Sequence, residues 1–335
     1  MAMRRMLLRE TGAVEDGRLV EDEAAAAAPA WGQVALRVLA CAVCHTDLHI
    51  VEGELSSPLP RVLGHQVVAT VEALGDGVEG VSVGDRVGVG WLASTCGECA
   101  YCASGRENLC ERACFTGRDV DGGYAEGMLA DARFVFPLPA RFSDVEAAPL
   151  LCAGIIGYRA LKLSGVQPGG RLGLFGFGAS AHLAIQVASA PGGWGCETYV
   201  FTRSESHRRL ARELGAAWAG GAEDDPGVAL DAAVSFAPAG WLVPAALARL
   251  GRGGTLVVNA VHASDIPSFP YELLYWERTV RSVANFTRED AREFLALAAD
   301  AGLRVETEVY RLSDANEALV RLKQGQVQGA AVLVP

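Results

Sequence analysis

From Gly170 onward, short apolar runs alternate with longer mixed segments, the rhythm of buried strands separated by helices. Arg171–Phe175, Glu197–Phe201, Leu230–Phe236, Gly254–Asn259 and Thr279–Val283 read as strands. Ala181–Ala190, a segment ending at Leu210–Ala216, and Val243–Leu250 read as helices between them. This alternation predicts a parallel, doubly wound sheet. Residues 1–140 have a different texture. Met1–Leu8, Gln33–Leu39 and Val67–Val71 read as strands, with turn signals at Gly75-Asp76-Gly77-Val78 and Gly84-Asp85-Arg86-Val87. They predict a β-rich, barrel-like domain. Glu21–Ala30, acidic and then Ala-rich, reads as a surface loop or a frayed helix. Ser143 with Glu146 forms a capping box at a helix start, and Leu150–Gly154 falls in the helical run that follows. The tail reads as helix Glu289–Ala299, strand Val305–Tyr310, helix Ser313–Lys323 and strand Ala330–Val334, the last returning to the first domain.

Length fits this division, because 335 residues exceed one ordinary core and suggest two domains. Half of the residues are apolar and 21% are charged, as in a globular protein. The net charge of -11 argues against nucleic-acid binding, which leans on phosphate neutralisation. No apolar run is long enough to span a bilayer, and Arg9 and Glu10 end the apolar run at the N-terminus too early for an export signal. A cytoplasmic location is therefore expected, and the nine cysteines point to metal binding or catalysis rather than disulfides.

Three stretches carry chemistry. Cys44-His45-Thr46-Asp47-Leu48-His49 concentrates a thiolate, a hydroxyl, a carboxylate and two imidazoles, donors suited to a soft or borderline metal and to proton handling. Cys96, Cys99, Cys102 and Cys110 follow the pattern Cys-x2-Cys-x2-Cys-x7-Cys. Four thiolates so close can close a tetrahedron around zinc and leave no open position, which makes the site structural; an iron–sulfur cluster is the competing reading. Gly176-Phe177-Gly178-Ala179-Ser180-Ala181 lies between a strand and a helix and matches the dinucleotide fingerprint. Gly176 allows the tight turn, Gly178 the close approach of a pyrophosphate, and Ala181 close helix–strand packing, with Ala179 and Ser180 at the helix N-terminus. After the second strand, where an acidic residue would hold the ribose 2′-hydroxyl of NAD(H), the chain has Thr202, Arg203 and Ser204. A guanidinium and hydroxyls suit a 2′-phosphate, which favours NADP(H), with NAD(H) the alternative.

Taken in order, Cys41–His49, Gly64-His65, the four-cysteine loop, Gly122-Gly123-Tyr124-Ala125-Glu126, Cys152 and Gly176–Ala181 resemble the zinc-dependent medium-chain alcohol dehydrogenases over essentially the whole chain, with the likeness greatest to bacterial cinnamyl-alcohol-dehydrogenase-like members. The resemblance implies that Cys44, His65 and Cys152 bind a catalytic zinc. On its own, Cys152 would pass for a small buried residue. It further implies that Thr46 hydrogen-bonds the substrate oxygen, that His49 ends a proton relay running through the cofactor ribose, that Asp47 orients His65, that His45 lies near the pyrophosphate, and that Trp91 walls the substrate pocket. Cys41 becomes a buried neighbour. The sequence departs from the family pattern at Gln66, where a glutamate is usual behind the zinc; the lost charge leaves the metal more electropositive.

The resemblance therefore implies an α/β protein: a GroES-like catalytic domain over residues 1–152 and 287–335, and a Rossmann domain over 153–286. The expected function is hydride transfer between NADP(H) and a small alcohol/aldehyde pair, with two zincs per chain, no nucleic-acid or membrane partner, and a homodimer or homotetramer as the assembly. A polyol or other secondary-alcohol dehydrogenase and a non-catalytic nucleotide-binding zinc protein are the alternatives.

Overall fold

The computed structural model describes residues 2–190 and 194–335; Met1, expected at the start of the first strand, lies outside them. The chain divides into two compact units, one running up to Cys152 and including Thr287–Leu295 and Val305–Pro335, the other comprising Ala153–Phe286 and Ala296–Arg304. The stretch expected to be catalytic over 287–335 is thus interrupted. Residues 296–304 group with the second unit, where Gln186 Oε1 accepts from the Arg304 N–H and Gln186 Nε2 donates to the Arg304 carbonyl. No helix among the described residues is long and apolar enough to cross a membrane.

In the second unit the described strands form a six-stranded parallel sheet in the order Trp218–Gly220, Glu197–Phe201, Arg171–Phe175, Leu230–Ser235, Leu250–Val258 and Thr279–Ser282. This is the doubly wound Rossmann order, with its reversal at the strand Arg171–Phe175. Leu172, Leu174, Phe175, Val200, Ala233, Val234, Leu256 and Val257 are essentially inaccessible. Continuous apolar runs of this kind fit strands buried on both faces. The rings of Phe175 and Phe201 stack at 4.1 Å across neighbouring strands. Two expectations change. Trp218–Gly220 is an additional strand whose three residues are too few to produce a pattern. The helix expected over Val243–Leu250 ends at Leu247, because Leu250 already pairs with Leu230 and opens the next strand.

In the first unit the strand Gln33–Ala42 is central. It pairs with Val67–Leu74, Gly127–Asp131 and Ala330–Val334 in a seven-stranded sheet. Val332 faces Ala42 and Leu333 faces Cys41, so the last strand of the chain braces the strand that leads into Cys44. The segment expected as a loop or frayed helix at Glu21–Ala30 instead contributes to the strand Leu19–Ala25, paired along its length with Ala2–Leu8. Its acidic residues hide the pattern in the sequence, but they meet basic partners across the ladder, Arg5 Nη2 lying 2.6 Å from Asp22.

The four-cysteine lobe is tied to the segment 287–295 of the same unit by Glu107. Its carboxylate, 9% exposed, accepts from the Arg288 N–H at 2.9 Å and from Arg288 Nε at 2.8 Å. Burial raises the Glu107 carboxyl, but Arg288 outweighs it and holds the group below its ordinary value. Replacing Glu107 by Gln is expected to cost about 1–3 kcal/mol at neutral pH in a denaturant titration. Because the folded value is depressed, the difference from wild type is full above the unfolded carboxyl value of about 4.3 and disappears as pH falls through the folded value.

Candidate active site

Where the strand Gln33–Ala42 ends, Cys44 takes an extended conformation and caps the short helix His45–Val51. Thr46 and Asp47 are buried, His49 is partly shielded and His45 is exposed. Asp47 is inaccessible and gathers the surrounding chain. It accepts from the Cys44 N–H at 2.9 Å, the Gly64 N–H at 3.1 Å and the Tyr124 hydroxyl at 3.1 Å, and it faces His65 Nδ1 at 3.3 Å. A buried carboxylate is tolerable only with such donors. Gly64 has φ +92°, and a Cβ there would meet the Tyr124 ring at 2.4 Å and Cys41 Sγ at 2.7 Å, so no side chain fits at this position beneath Tyr124.

With Nδ1 turned to Asp47, His65 has Nε2 available for a cation. Ligand atoms of Cys44, His65 and Cys152 lie within 4.8 Å of one another. Cys152 is not inside a continuous helix, as the sequence suggested. A 3-10 turn, Ala148–Leu151, stops before it, Cys152 has φ -132° and ψ -70°, and the helix Ala153–Ser164 starts after it. This break sets the thiol apart from the helical run. The hydrogen bond from Cys152 holds the Cys44 thiol well below its ordinary value despite burial, and His65 adds to the effect. The same bond, with burial, pushes Cys152 up. Burial pulls His65 down, but Asp47 and then Cys44 outweigh it and raise His65 to about 10. Two thiolates and an imidazole form a known catalytic zinc ligand set.

Thr46 Oγ1 lies 3.7 Å from Cys44 Sγ, which brings its hydroxyl beside the ligand cluster. The rings of Trp91 and His65 pack T-shaped with centroids 4.8 Å apart, and Trp91 also stacks on Phe115 at 5.2 Å. Gln66 is 3% exposed and follows His65 directly. Tyr124 is the polar residue whose role the sequence did not disclose. The signal was the Gly122-Gly123 pair before it. A Cβ on Gly122 would meet the Gly64 carbonyl at 2.0 Å, so this turn must press against the residue preceding His65.

The four-cysteine loop forms a second cluster. Sulfur separations are 3.8 Å for Cys96–Cys102, 3.5 Å for Cys99–Cys102 and 3.5 Å for Cys110–Cys96, and all four sulfurs lie within 4.8 Å of one another. A tetrahedron with metal–sulfur bonds of about 2.3 Å has edges of about 3.8 Å, so the set fits one ion better than a cluster that spreads its thiolates over several irons. Backbone N–H groups of Glu98 and Cys99 pull the Cys96 thiol down to about 6.

The glycine turn of the second unit sits at the end of the central strand. Gly176 has φ +87°, and a Cβ would approach Ala237 at 3.0 Å. A Cβ on Gly178 would meet nothing within 4 Å, so this side of the turn is open to a ligand. The helix Ala179–Ser189 starts here, Ala181 is inaccessible, and the first N–H groups have no partners within the helix. The donor-rich turn and the open face at Gly178 fit a pyrophosphate. Among the residues past the second strand, Thr202 is 8% exposed and its N–H donates to the Gly220 carbonyl. Ser204 Oγ accepts from the His207 N–H at 3.4 Å and caps the next helix. Arg203 is exposed and forms no ion pair among the described residues.

Residues 30–140 match the alcohol dehydrogenase GroES-like domain. The chain is 47% identical over 334 residues to a probable alcohol dehydrogenase, AdhA, of Mycobacterium tuberculosis, covering 98% of this chain and 96% of that protein. The structure of a cinnamyl alcohol dehydrogenase from Sorghum bicolor superposes with a TM-score of 0.90 at 28% identity, covering 100% of this chain and 98% of that one. A cobalt- and zinc-bound thermostable alcohol dehydrogenase from Pyrobaculum aerophilum gives a TM-score of 0.89 at 25% identity, covering 100% of both chains. The chain belongs to the medium-chain alcohol dehydrogenase family and is an oxidoreductase of that class.

Tyr124→Phe removes one of the donors to buried Asp47. It is expected to destabilise the protein by about 1–3 kcal/mol and to loosen metal retention at Cys44, His65 and Cys152, read by zinc loss to a chelator. Unchanged stability and retention would show that the Tyr124 hydroxyl does not support Asp47.

Proposed function

We propose that this chain is a zinc-dependent dehydrogenase that transfers hydride between NADP(H) and an alcohol/aldehyde pair. The observation that carries the reading is the convergence of Cys44, His65 and Cys152 on one point, with His65 turned by Asp47. Those three residues would hold the catalytic ion, and Cys96, Cys99, Cys102 and Cys110 a structural one. A relative whose structure contains zinc and cobalt supports the choice of metal. Bound zinc supplies a Lewis acid for the substrate oxygen, and bound nicotinamide supplies or accepts the hydride.

The chain's own groups do the rest. Asp47 keeps the hydrogen on His65 Nδ1, so that Nε2 is the atom offered as ligand, and a bound ion would take the place of its proton. Thr46 hydrogen-bonds the substrate oxygen and holds its proton, and His49, one helical turn further on, exchanges that proton with solvent. Trp91 restricts the substrate to one side of the site. Gly176, Gly178 and the N–H groups of Ala179, Ser180 and Ala181 hold the pyrophosphate. Arg203, with Thr202 and Ser204 beside it, binds the 2′-phosphate; that it forms no ion pair among the described residues supports this role.

Protein produced with zinc is expected to contain two zinc ions per chain by elemental analysis, one for each cluster; one or none would contradict the reading. Cys152→Ala is expected to abolish turnover with the secondary structure retained. In fluorescence titrations NADPH should bind more tightly than NADH. Arg203→Ala should weaken NADPH about tenfold, a loss of about 1.4 kcal/mol, with little effect on NADH. Tighter NADH binding by the wild type would overturn the cofactor assignment.

A further inference from the structure

His49 lies on the same face of the helix His45–Val51 as Thr46, three residues earlier. Directly after this helix the chain reverses. Gly53 takes φ +79°, the Leu55 N–H donates to the His49 carbonyl at 3.0 Å, and Glu54 is carried back along the helix end. Its Oε2 lies 2.5 Å from His49 Nδ1. The turn is anchored from both sides: the Gly12 N–H donates to the Val51 carbonyl at 2.8 Å, and Lys323 Nζ bridges Glu52 and Glu15 at 2.6 and 2.8 Å. The side chain of His49 is 19% exposed and that of Glu54 46%.

We propose that Glu54 is a positioning residue for proton transfer through His49. The inference rests on the role given to His49 above. An ionised carboxylate is only an acceptor, so Glu54 fixes the hydrogen on Nδ1 and leaves the lone pair of His49 on Nε2. Alcohol oxidation breaks one C–H and one O–H bond. The C–H hydrogen leaves with its electron pair as hydride to the oxidised nicotinamide, and the O–H hydrogen leaves as a proton. Nε2 accepts that proton, the positive charge forms beside the Glu54 carboxylate, and Nε2 then gives the proton to water; reduction runs the same transfers backwards. The turn at Gly53 thus pre-organises a charge where one develops.

The test uses the zinc-loaded enzyme and four variants: His49→Gln, Glu54→Gln, Glu54→Asp and the double variant His49→Gln/Glu54→Gln. Steady-state alcohol oxidation is measured at increasing imidazole buffer, with melting temperature and zinc content as controls. Glu54→Gln is expected to lower kcat about tenfold with KM little changed, and His49→Gln to lower it further. Imidazole in solution should restore part of the rate to both, because an external base replaces the missing transfer, while the wild type stays flat. Glu54→Asp should retain most of kcat. In the His49→Gln background the Glu54 change should add less than about twofold, since the two act through one group. An unaffected His49→Gln would overturn the His49 role and this inference with it. A defective, imidazole-rescued His49→Gln alongside an unaffected Glu54→Gln, or a Glu54 effect undiminished in the double variant, would overturn the Glu54 assignment alone.

Discussion

The first unit depends on one buried carboxylate. Asp47 is inaccessible, and its lone pairs are taken up by Cys44, Gly64 and Tyr124, with His65 beside it. These residues come from three separated parts of the chain. An ion in that position must keep all of its donors, so it fixes the helix start at Cys44, the glycine before His65 and the turn carrying Tyr124 relative to one another. Two of the three proposed catalytic ligands are neighbours of these contacts. The third, Cys152, is freed by a break between a 3-10 turn and a helix.

The glycines follow from this constraint. Gly64 is needed because the Tyr124 ring and the Cys41 sulfur leave no volume for a side chain, and its φ of +92° disfavours one in any case. Gly178 is a different case. Nothing in the protein crowds it, and a glycine there suits the proposed approach of a ligand to the backbone. One glycine is explained by packing, the other only by the proposed ligand, though the sequence presents them alike.

The strands of the second unit were legible because they are buried on both faces and therefore continuously apolar. Arg171–Phe175 and Glu197–Phe201 have the bounds their patterns predict. Leu19–Ala25 was not legible: its stabilising partners are basic residues about twenty positions earlier, and ion pairs across a ladder leave no apolar period. The four-cysteine loop announced itself by spacing alone, since its ligands are local. Cys152 did not, and only the resemblance pointed to it, because its partners lie roughly ninety and a hundred positions away in sequence and its departure from helical geometry has no signature in the residues around it. Tyr124 was missed for the same reason, its partner Asp47 lying far off in sequence, whereas Glu54 is only five residues from His49 and was missed because the turn at Gly53 that carries it back is not written in the residue types.

Asp47 and its donors are proposed to hold Cys44, His65 and Cys152 as one zinc site. X-ray diffraction from crystals of the zinc-loaded protein, recorded on both sides of the zinc absorption edge, tests it most directly. The account predicts an anomalous peak bonded to Cys44 Sγ, Cys152 Sγ and His65 Nε2, with His65 Nδ1 on Asp47, besides the peak among Cys96, Cys99, Cys102 and Cys110. A peak at the four cysteines alone, or a zinc at the first site bound through His65 Nδ1, would contradict it.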